Sequence, residues 1–268
     1  MPDRDDPMSF GPYRLVRPLG RHAAGARWVA IDERTGENKT VFQFDRGEDH
    51  PDRRRTLAAL ERLGAVRDSH LLTADQYSIR NDGSVWAVAP YRGHQDGLMT
   101  IGELAEAKGG VLSITETQRA VDQLLNAIAV AHDEKVAHGA LSADEIFVDR
   151  HGSVWVELYG LIPCIRGAGH ADELTVRDEI RSVVALGYTL LTGLSAEDPR
   201  IAASRIVRKL DRWWDAWFDR GLDPMGGFAS ADEALSAMHE TLSGEPIIVS
   251  RPVRGVLSRF RRPTPSDR

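Results

Sequence analysis

Three carboxylates in the middle of the sequence have side chains suited to metal chemistry. Asp144, Glu145 and Glu157 lie close together along the chain, and carboxylate oxygens are the ligands that hard divalent cations prefer. Asp144 and Glu145 could equally cap or decorate a loop, with Glu157 on the opposite face of its strand from Val156. The residue types therefore leave two interpretations open, a cation site and a solvated loop.

Two glycines nearer the N-terminus, Gly20 and Gly25, could form a loop that holds phosphate. A glycine lets the backbone approach a phosphate closely because it has no Cβ. His22 lies between the two glycines, and Arg27 follows them. Two turn glycines of a β-hairpin would have the same spacing, so this alternative also stays open.

Hydrophobic periodicity places these residues in a strand-rich first third and a helical remainder. Alternating apolar residues predict strands over 13–20, 26–31, 40–44, 71–79 and 84–91, and a helix over 54–63. Further helices are predicted over 100–108, 113–134 and 178–192. This order favours an α+β fold. We expect a disordered lead over 1–10, a sheet lobe over 11–91, a helical lobe over 92–245 and a basic tail over 246–268.

The composition narrows the class of protein. The chain has 268 residues, with 42% hydrophobic and 28% charged residues, which is typical of globular proteins. Its formal net charge of −6 argues against nucleic acid as a partner. Cys164 is the single cysteine, which excludes an intramolecular disulfide and favours a reducing compartment. No apolar run reaches the ~18 residues of a membrane span, so we expect a cytoplasmic protein.

The segment from His138 to Gly160 resembles the catalytic loop and metal-binding loop of protein kinases. The kinase pattern is His-Arg-Asp-Leu-Lys-x-x-Asn, followed by two short strands and Asp-Phe-Gly. His138 and Leu141 match this pattern, and Leu158-Tyr159-Gly160 occupies the place of Asp-Phe-Gly. The resemblance implies the bilobal kinase fold, with an antiparallel sheet and one helix in the N-lobe and a mainly helical C-lobe.

The positions that supply kinase chemistry have other residues in this chain. Ala140 replaces the catalytic Asp, Ser142 replaces the Lys, and Glu145 replaces the metal-binding Asn. Leu158 replaces the Asp that would hold magnesium. Gln43 occupies the place of the phosphate-binding lysine on the third strand.

Two further positions that form ion pairs in kinases also have other residues in this chain, and the register of the third strand does not change this. A one-residue shift of the third strand would put Phe42 instead of Gln43 at the lysine place, and neither residue supplies a lysine. Thr56 lies near the place of the glutamate that pairs with that lysine, and Gly227 replaces the arginine of a late kinase segment. Loss of both partners of an ion pair leaves no buried unpaired charge.

The glycine segment resembles the kinase loop Gly-x-Gly-x-x-Gly-x-Val. Gly20 and Gly25 are kept, whereas His22 replaces the middle glycine. Arg27 replaces the valine that would rest on an adenine ring. The resemblance implies a vestigial loop, in which Arg27 either fills the pocket or binds an anion.

Scaffold residues of the kinase pattern are retained. The helix that includes Asp178 and ends near Gly193 resembles the kinase helix that opens with Asp and closes with Leu-Leu-Thr-Gly. The resemblance implies that Asp178 holds the catalytic-loop backbone and that His138, Tyr159 and Gly160 have structural roles. The stretch between Gly160 and Asp178 is short, so the platform for a peptide substrate is expected to be truncated.

These losses and retentions resemble a pseudokinase related to bacterial Ser/Thr kinases. The implied function is that of a catalytically inactive scaffold or allosteric regulator in bacterial signalling, with protein partners and without a cofactor, metal or small-molecule substrate. One alternative is a kinase-fold enzyme with altered nucleotide or metal use through Glu145 or Glu157. Another is an adaptor at the inner face of the membrane.

Two sequence features are candidate partner-binding sites. Trp214 is predicted to face away from Trp213 and Trp217. It could anchor a partner, because exposed tryptophans are common hot spots, or it could pack in the core with the rest of this aromatic cluster. The tail has apolar residues at helical spacing and a set of arginines suited to an anionic membrane or an acidic groove. A disordered tail and a helix packed on the acidic body remain open alternatives. The candidate arginines are Arg254, Arg259, Arg261 and Arg262.

Overall fold

The structure is a computed structural model that describes residues 9–22, 25–44, 50–80, 83–93 and 98–242. Residues 1–8 of the predicted lead over 1–10 and the candidate arginines of the tail lie outside these residues. The prediction of disorder is wrong for Ser9 and Phe10, which form a strand paired with Arg14 and Tyr13. The strands of the described residues are β1 Ser9–Phe10, β2 Tyr13–His22, β3 Gly25–Asp32, β4 Asn38–Phe44, β5 Leu71–Leu72, β6 Gln76–Ile79, β7 Val85–Pro90, β8 Ile146–Val148 and β9 Val154–Glu157. The helices are α1 His50–Leu63, α2 Ile101–Ala107, α3 Ile114–Asp133, α4 Leu161–Arg166, α5 Glu173–Thr192, α6 Ala203–Ile206, α7 Trp213–Gly221 and α8 Ala231–Leu242.

The first lobe is built on an antiparallel sheet with the strand order β1-β2-β3-β4-β7-β6. Alternation along β4 gives the sheet two apolar faces, because successive side chains point to opposite sides. Phe42 and Phe44 pack on the inner face in the cluster that includes Leu60 of α1. Val41 packs on the outer face with Trp86, and the ring of Phe10 stacks on that of Trp86 at 4.9 Å.

A second sheet joins the first lobe to the helical part, with the strand order β5-β9-β8. The single strand predicted over 71–79 is therefore two strands in two different sheets. Leu71 pairs with Val156 in parallel, whereas Gln76 pairs with Val88. The segment between β5 and β6 redirects the chain, and an unbroken alternation does not reveal that change.

The helical part is organised around α3 and α5, which pack against each other. Ser113 caps α3 with a capping box, in which its side chain accepts from the Glu116 amide. Helix α5 begins at Glu173, five residues before the predicted start, because the Asp172 side chain caps it by accepting from the Thr175 amide at 2.9 Å. Among the described residues, no helix has the length and apolar character needed to cross a bilayer.

The prediction that Trp214 is an exposed partner anchor is wrong. Its side chain is only 1% exposed, and its ring lies 5.3 Å from that of Phe218. Helix α7 packs against both α5 and α8, so residues on more than one of its faces are buried. Trp214 and Trp217 are both buried, while Trp213 lies at the edge and is partly buried.

We expect Trp214→Ala to lower the free energy of unfolding by about 3–5 kcal/mol, because it leaves a cavity among packed rings. Urea denaturation followed by circular dichroism measures the change. Met225→Ala is the control, since Met225 is 88% exposed, and its effect should stay within about 0.5 kcal/mol. Equal effects of the two substitutions would contradict the burial of Trp214.

Candidate functional site

An ion pair fills the cleft between the sheet lobe and the helical part. Arg27 on β3 places Nη1 2.7 Å from Oε2 of Glu157, the last residue of β9. Its Nη2 donates to the carbonyl oxygen of Leu19 at 3.1 Å. The guanidinium lies over the Phe147 ring, 5.2 Å from the ring centroid. The two side chains are 11% and 3% exposed, so the pair is shielded from water.

Strand register explains why these two charged residues meet. Arg27 lies opposite Phe42 in the β3–β4 ladder, so both point to the inner face of the sheet. Phe147 lies opposite Trp155 in the β8–β9 hairpin. Glu157 follows Trp155 by two residues, so it shares a face with both aromatic rings. Glu157 and Val156 thus point to opposite sides of β9, as expected, and Glu157 points towards Arg27.

Burial and pairing act in opposite directions on Glu157. Removal from water raises the pKa of the Glu157 carboxyl, and the guanidinium of Arg27 opposes that rise. A buried charge is tolerated when it has a close partner of opposite sign. Of the two roles left open for Arg27, the structure favours filling the pocket, because an acidic residue of the chain already occupies its guanidinium.

The space that remains in the cleft is small. A cavity of about 110 Å³ is lined by Arg21, His138, Asp144, Glu145 and the ion pair, with Phe147 and Val156. Ligand pockets are typically about 300–1,000 Å³. This cavity beside the ion pair therefore has too little room for a nucleotide.

Two of the three candidate carboxylates are engaged by other groups of the chain. Glu145 accepts from the amide of Ser142 at 3.1 Å and from its hydroxyl at 3.0 Å, so it caps its own loop. Glu157 is paired with Arg27. Within the described ranges, no group of three or more metal-ligating side chains is close enough to hold an ion. Glu145 Oε1 also lies 3.9 Å from Nε2 of His138.

Gln43 does not occupy the place where a phosphate-binding lysine would point. It pairs with Ala26 and Trp86 and shares the outer face of the sheet with Val41. Phe42 points inward instead, so the shifted register is the better match. Thr56, which the motif places near the glutamate partner of that lysine, is buried on α1. The inner side of β4 therefore has Phe42 and Phe44 beside the buried Thr40, and none of these residues is a lysine.

The glycines of the first lobe belong to a hairpin. Gly20 has φ +82° in β2, and Gly25 begins β3 in register with His22. The positive φ of Gly20 is one that residues with a Cβ rarely adopt. The side chain of His22 lies outside the described residues, as do residues 23 and 24. The described backbone is that of two paired strands approaching their turn.

A buried carboxylate of α5 holds the loop that resembles the catalytic loop. Glu179 is fully buried. It accepts from the backbone amide of His138 at 3.1 Å, accepts from the Tyr159 hydroxyl at 2.5 Å and lies 3.1 Å from Nε2 of His132. Burial and the neighbouring carboxylate raise the pKa of the Tyr159 hydroxyl well above its ordinary value, so Tyr159 remains a hydrogen-bond donor.

The prediction that Asp178 supports this loop is wrong, and Glu179 has that place. Asp178 is 62% exposed and pairs with Arg181 at 2.9 Å. Helix periodicity could have identified the correct residue, because Glu179 is in phase with the buried residues Val183 and Leu186. The longer glutamate side chain reaches the loop from the next position on the helix.

The connection between the two loops and α5 is short. Gly160, with φ +73°, caps the start of α4, and a Cβ there would lie 2.9 Å from Val136. After α4 the chain pairs with the segment before His138. The Ala137 amide donates to the carbonyl oxygen of Gly169 at 3.4 Å, and the Ala171 amide donates to that of Lys135 at 3.2 Å. Helix α5 begins directly afterwards, so this connection forms no broad platform beside the loop.

Comparison with known proteins agrees with this architecture. No protein-family model matches the chain. The kinase domain of PknI from Mycobacterium tuberculosis is similar in structure, with a TM-score of 0.67, 18% identity, and coverage of 89% of this chain and 99% of that domain. A cysteine-to-alanine mutant of the same domain gives a TM-score of 0.67 at 18% identity, covering 90% and 99%. The chain has a protein-kinase-like fold.

Sequence similarity to a plant protein kinase agrees with the structural comparison. The CBL-interacting protein kinase 9 of Oryza sativa subsp. japonica is 26% identical over 157 residues, which is 56% of this chain. The aligned part is 32% of that relative, so this chain matches about a third of its length. The expected α+β bilobal kinase-like architecture is confirmed, with a curled N-lobe sheet followed by a helical C-lobe.

Removing Glu179 should weaken the C-lobe far more than removing Asp178. Glu179→Ala leaves the Tyr159 hydroxyl and the His138 amide without their acceptor, and we expect a loss of about 3 kcal/mol in unfolding free energy. Asp178→Ala, the matched control on the same turn, should change it by at most about 0.5 kcal/mol. Urea denaturation measures both. A larger effect of Asp178→Ala would restore the assignment made from the motif.

Breaking the cleft ion pair should produce a pH-dependent loss of stability. Arg27→Met leaves a buried, unpaired Glu157, and we expect about 3–5 kcal/mol less unfolding free energy at neutral pH. The folded protein holds the Glu157 proton more tightly than the unfolded chain, whose pKa is near the ordinary 4.5. The loss therefore shrinks as pH falls through the raised folded pKa towards 4.5.

The apolar double variant separates charge from packing. Arg27→Met with Glu157→Leu removes both charges together and should recover most of the stability, with little dependence on pH. Denaturation curves at several pH values compare the two variants. A pH-independent loss in Arg27→Met would show that Glu157 is not the group left unpaired.

Proposed function

We propose that this protein is a pseudokinase that acts as a protein-binding scaffold or allosteric regulator in bacterial signalling. The observation that supports it most is the Arg27–Glu157 pair over Phe147, because side chains of the protein itself fill the place of a nucleotide base. The fold is kept while its cleft is closed from within. The protein would then act by binding other proteins on its surface.

The chemistry of phosphoryl transfer supports the same proposal. Catalysis of that reaction is almost entirely positioning and charge neutralisation by metal ions, their carboxylates and a lysine. Here Ala140 and Leu158 stand where the kinase pattern has its two aspartates, and Phe42 faces the cleft where it has its lysine. Removal of one electrostatic stabiliser typically lowers a rate by about 10²–10³. Loss of all of them together leaves no basis for ordinary turnover.

Similarity to proteins named as kinases favours activity, whereas the residues of this cleft oppose it. The identity is 18% over 89% of this chain for the solved domain and 26% over 56% of it for the plant kinase, and a shared fold does not imply a shared reaction. We therefore give the residues of the cleft more weight than the overall similarity to kinases. An enzyme with altered metal use has less support, because Glu145 and Glu157 are engaged by Ser142 and Arg27.

Binding of ATP tests the proposal directly. The melting temperature of the protein should not change with millimolar ATP and magnesium, because a ligand that does not bind the folded state cannot stabilise it. Incubation with radiolabelled ATP should also leave the protein unlabelled. An upward shift of several degrees that EDTA abolishes, or incorporation of label, would overturn the proposal.

A variant with an opened cleft provides the matched comparison. Arg27→Val with Glu157→Val removes the filling side chains and keeps the sheet register, so we expect an ATP-dependent shift that does not require magnesium. Asp178→Ala, a change at an exposed C-lobe position, serves as the control and should behave like the unchanged protein. Absence of any shift in the opened variant would show that the pair is not what excludes the nucleotide.

A further inference from the structure

An opening in the C-lobe lies apart from the Arg27–Glu157 pair and is larger than the cavity beside that pair. This groove is a cavity of about 940 Å³ on the exposed side of α5, below the loop of residues 139–143. Its floor is formed by small and apolar side chains. They include Ala140, Leu141, Ala185, Leu186, Leu222 and Pro224.

The groove exists because the connection before α5 is short. Helix α4 packs against α1, and the residues after it pair with the segment from Lys135 to Ala137. Within the described ranges, this connection leaves the face of α5 that contains Thr175, Ser182 and Ala185 uncovered.

The rim of the groove has more acidic than basic side chains. Its two arginines are already paired with acids of the body, Arg181 with Asp178 at 2.9 Å and Arg200 with Asp198 at 2.8 Å. Asp219 adds a second carboxylate near Arg200, at 3.8 Å. Glu197 is a further rim residue and is exposed. The groove therefore suits a ligand that combines apolar side chains with positive charge.

We propose that residues 251–262 of the same chain bind in this groove. The segment has no acid, and its apolar residues Val253, Val256, Leu257 and Phe260 have the spacing of one helix face. Its arginines would meet the acidic rim while the apolar residues cover the alanine-rich floor. The groove and the segment thus match in polarity and in charge.

The overall charge distribution strengthens the match. Residues 243–268 contain six arginines and two acids, a formal charge of +4, so the total of −6 leaves −10 on residues 1–242. This excess attracts the tail to the body over a distance of about 8–10 Å at physiological salt. It also opposes approach of the body to an anionic membrane, so the groove is the favoured binding place for the segment.

The chain is long enough for the segment to reach the groove. Helix α8 ends at Leu242, and its His239 lies 2.6 Å from Asp122 of α3. Val121, beside Asp122, packs against Gly187 on the side of α5 opposite Ala185. Packed helices lie about 8–10 Å apart, while residues 243–250 can span about 26 Å. The tail can therefore pass around α5.

Photo-crosslinking in the full chain tests the proposal. The photoreactive amino acid benzoylphenylalanine replaces Phe260, and mass spectrometry locates the peptides joined after irradiation. We expect the crosslinks to fall within 173–200 and 222–224, to form within one molecule, and to keep their yield on dilution. High salt should lower that yield, because screening weakens exposed charge pairs.

Charge-reversal variants provide matched controls. Glu197→Arg, on the rim, should lower the crosslink yield by about fivefold, and reversal of Arg254, Arg259, Arg261 and Arg262 to Glu should lower it further. Glu106→Arg, an exposed position on α2, should leave the yield unchanged. Crosslinks spread over the surface, or equal effects of Glu197→Arg and Glu106→Arg, would overturn the proposal.

Vesicles of phosphatidylserine and phosphatidylcholine test the membrane alternative in the same experiment. If the segment binds the groove, vesicles should not pellet the chain and should leave the groove crosslinks intact. Pelleting that depends on the tail arginines, with loss of the crosslinks, would assign the segment to the membrane and overturn the proposal.

Discussion

The arrangement of the C-lobe depends on one buried carboxylate. Glu179 joins three parts of the chain, because it contacts the His138 backbone, the Tyr159 hydroxyl and the His132 ring. Each of these groups would be destabilised if it were buried without a partner. One side chain of α5 thereby fixes both loops that resemble the kinase loops. The scaffold is maintained by a polar network around a side chain that water does not reach.

The cleft also contains buried polar groups that depend on each other, but here both of them are charged. Arg27 and Glu157 are charged residues in a shielded place, and each is tolerated there only because of the other. Phe147 adds an aromatic face under the guanidinium. A kinase-like cleft without its lysine and magnesium ligands would otherwise be an unfilled cavity between lobes. In the function proposed above, the ion pair takes the place of contacts that a bound nucleotide provides in a kinase.

Much of the fold could be predicted from the sequence, because strand alternation and helix periodicity reflect which faces are buried. The replaced residues at 140, 142, 145 and 158 could also be identified directly from the motif. The errors have specific physical causes. The motif position favours Asp178, although the apolar phase of α5 favours Glu179. A single helix face predicts Trp214 to be exposed, whereas α7 has neighbours on both sides. The Arg27–Glu157 contact joins residues 130 positions apart, and no local pattern reveals such a pair.

The contact between Arg27 and Glu157 joins strands of the two lobes through groups that are always present. In an enzyme whose lobes close around a diffusible ligand, the angle between lobes follows the supply of that ligand. Here the bridging groups are side chains of the protein itself, so every molecule contains them. For the scaffold proposed above, the angle between the lobes would consequently not follow the nucleotide concentration of the cell.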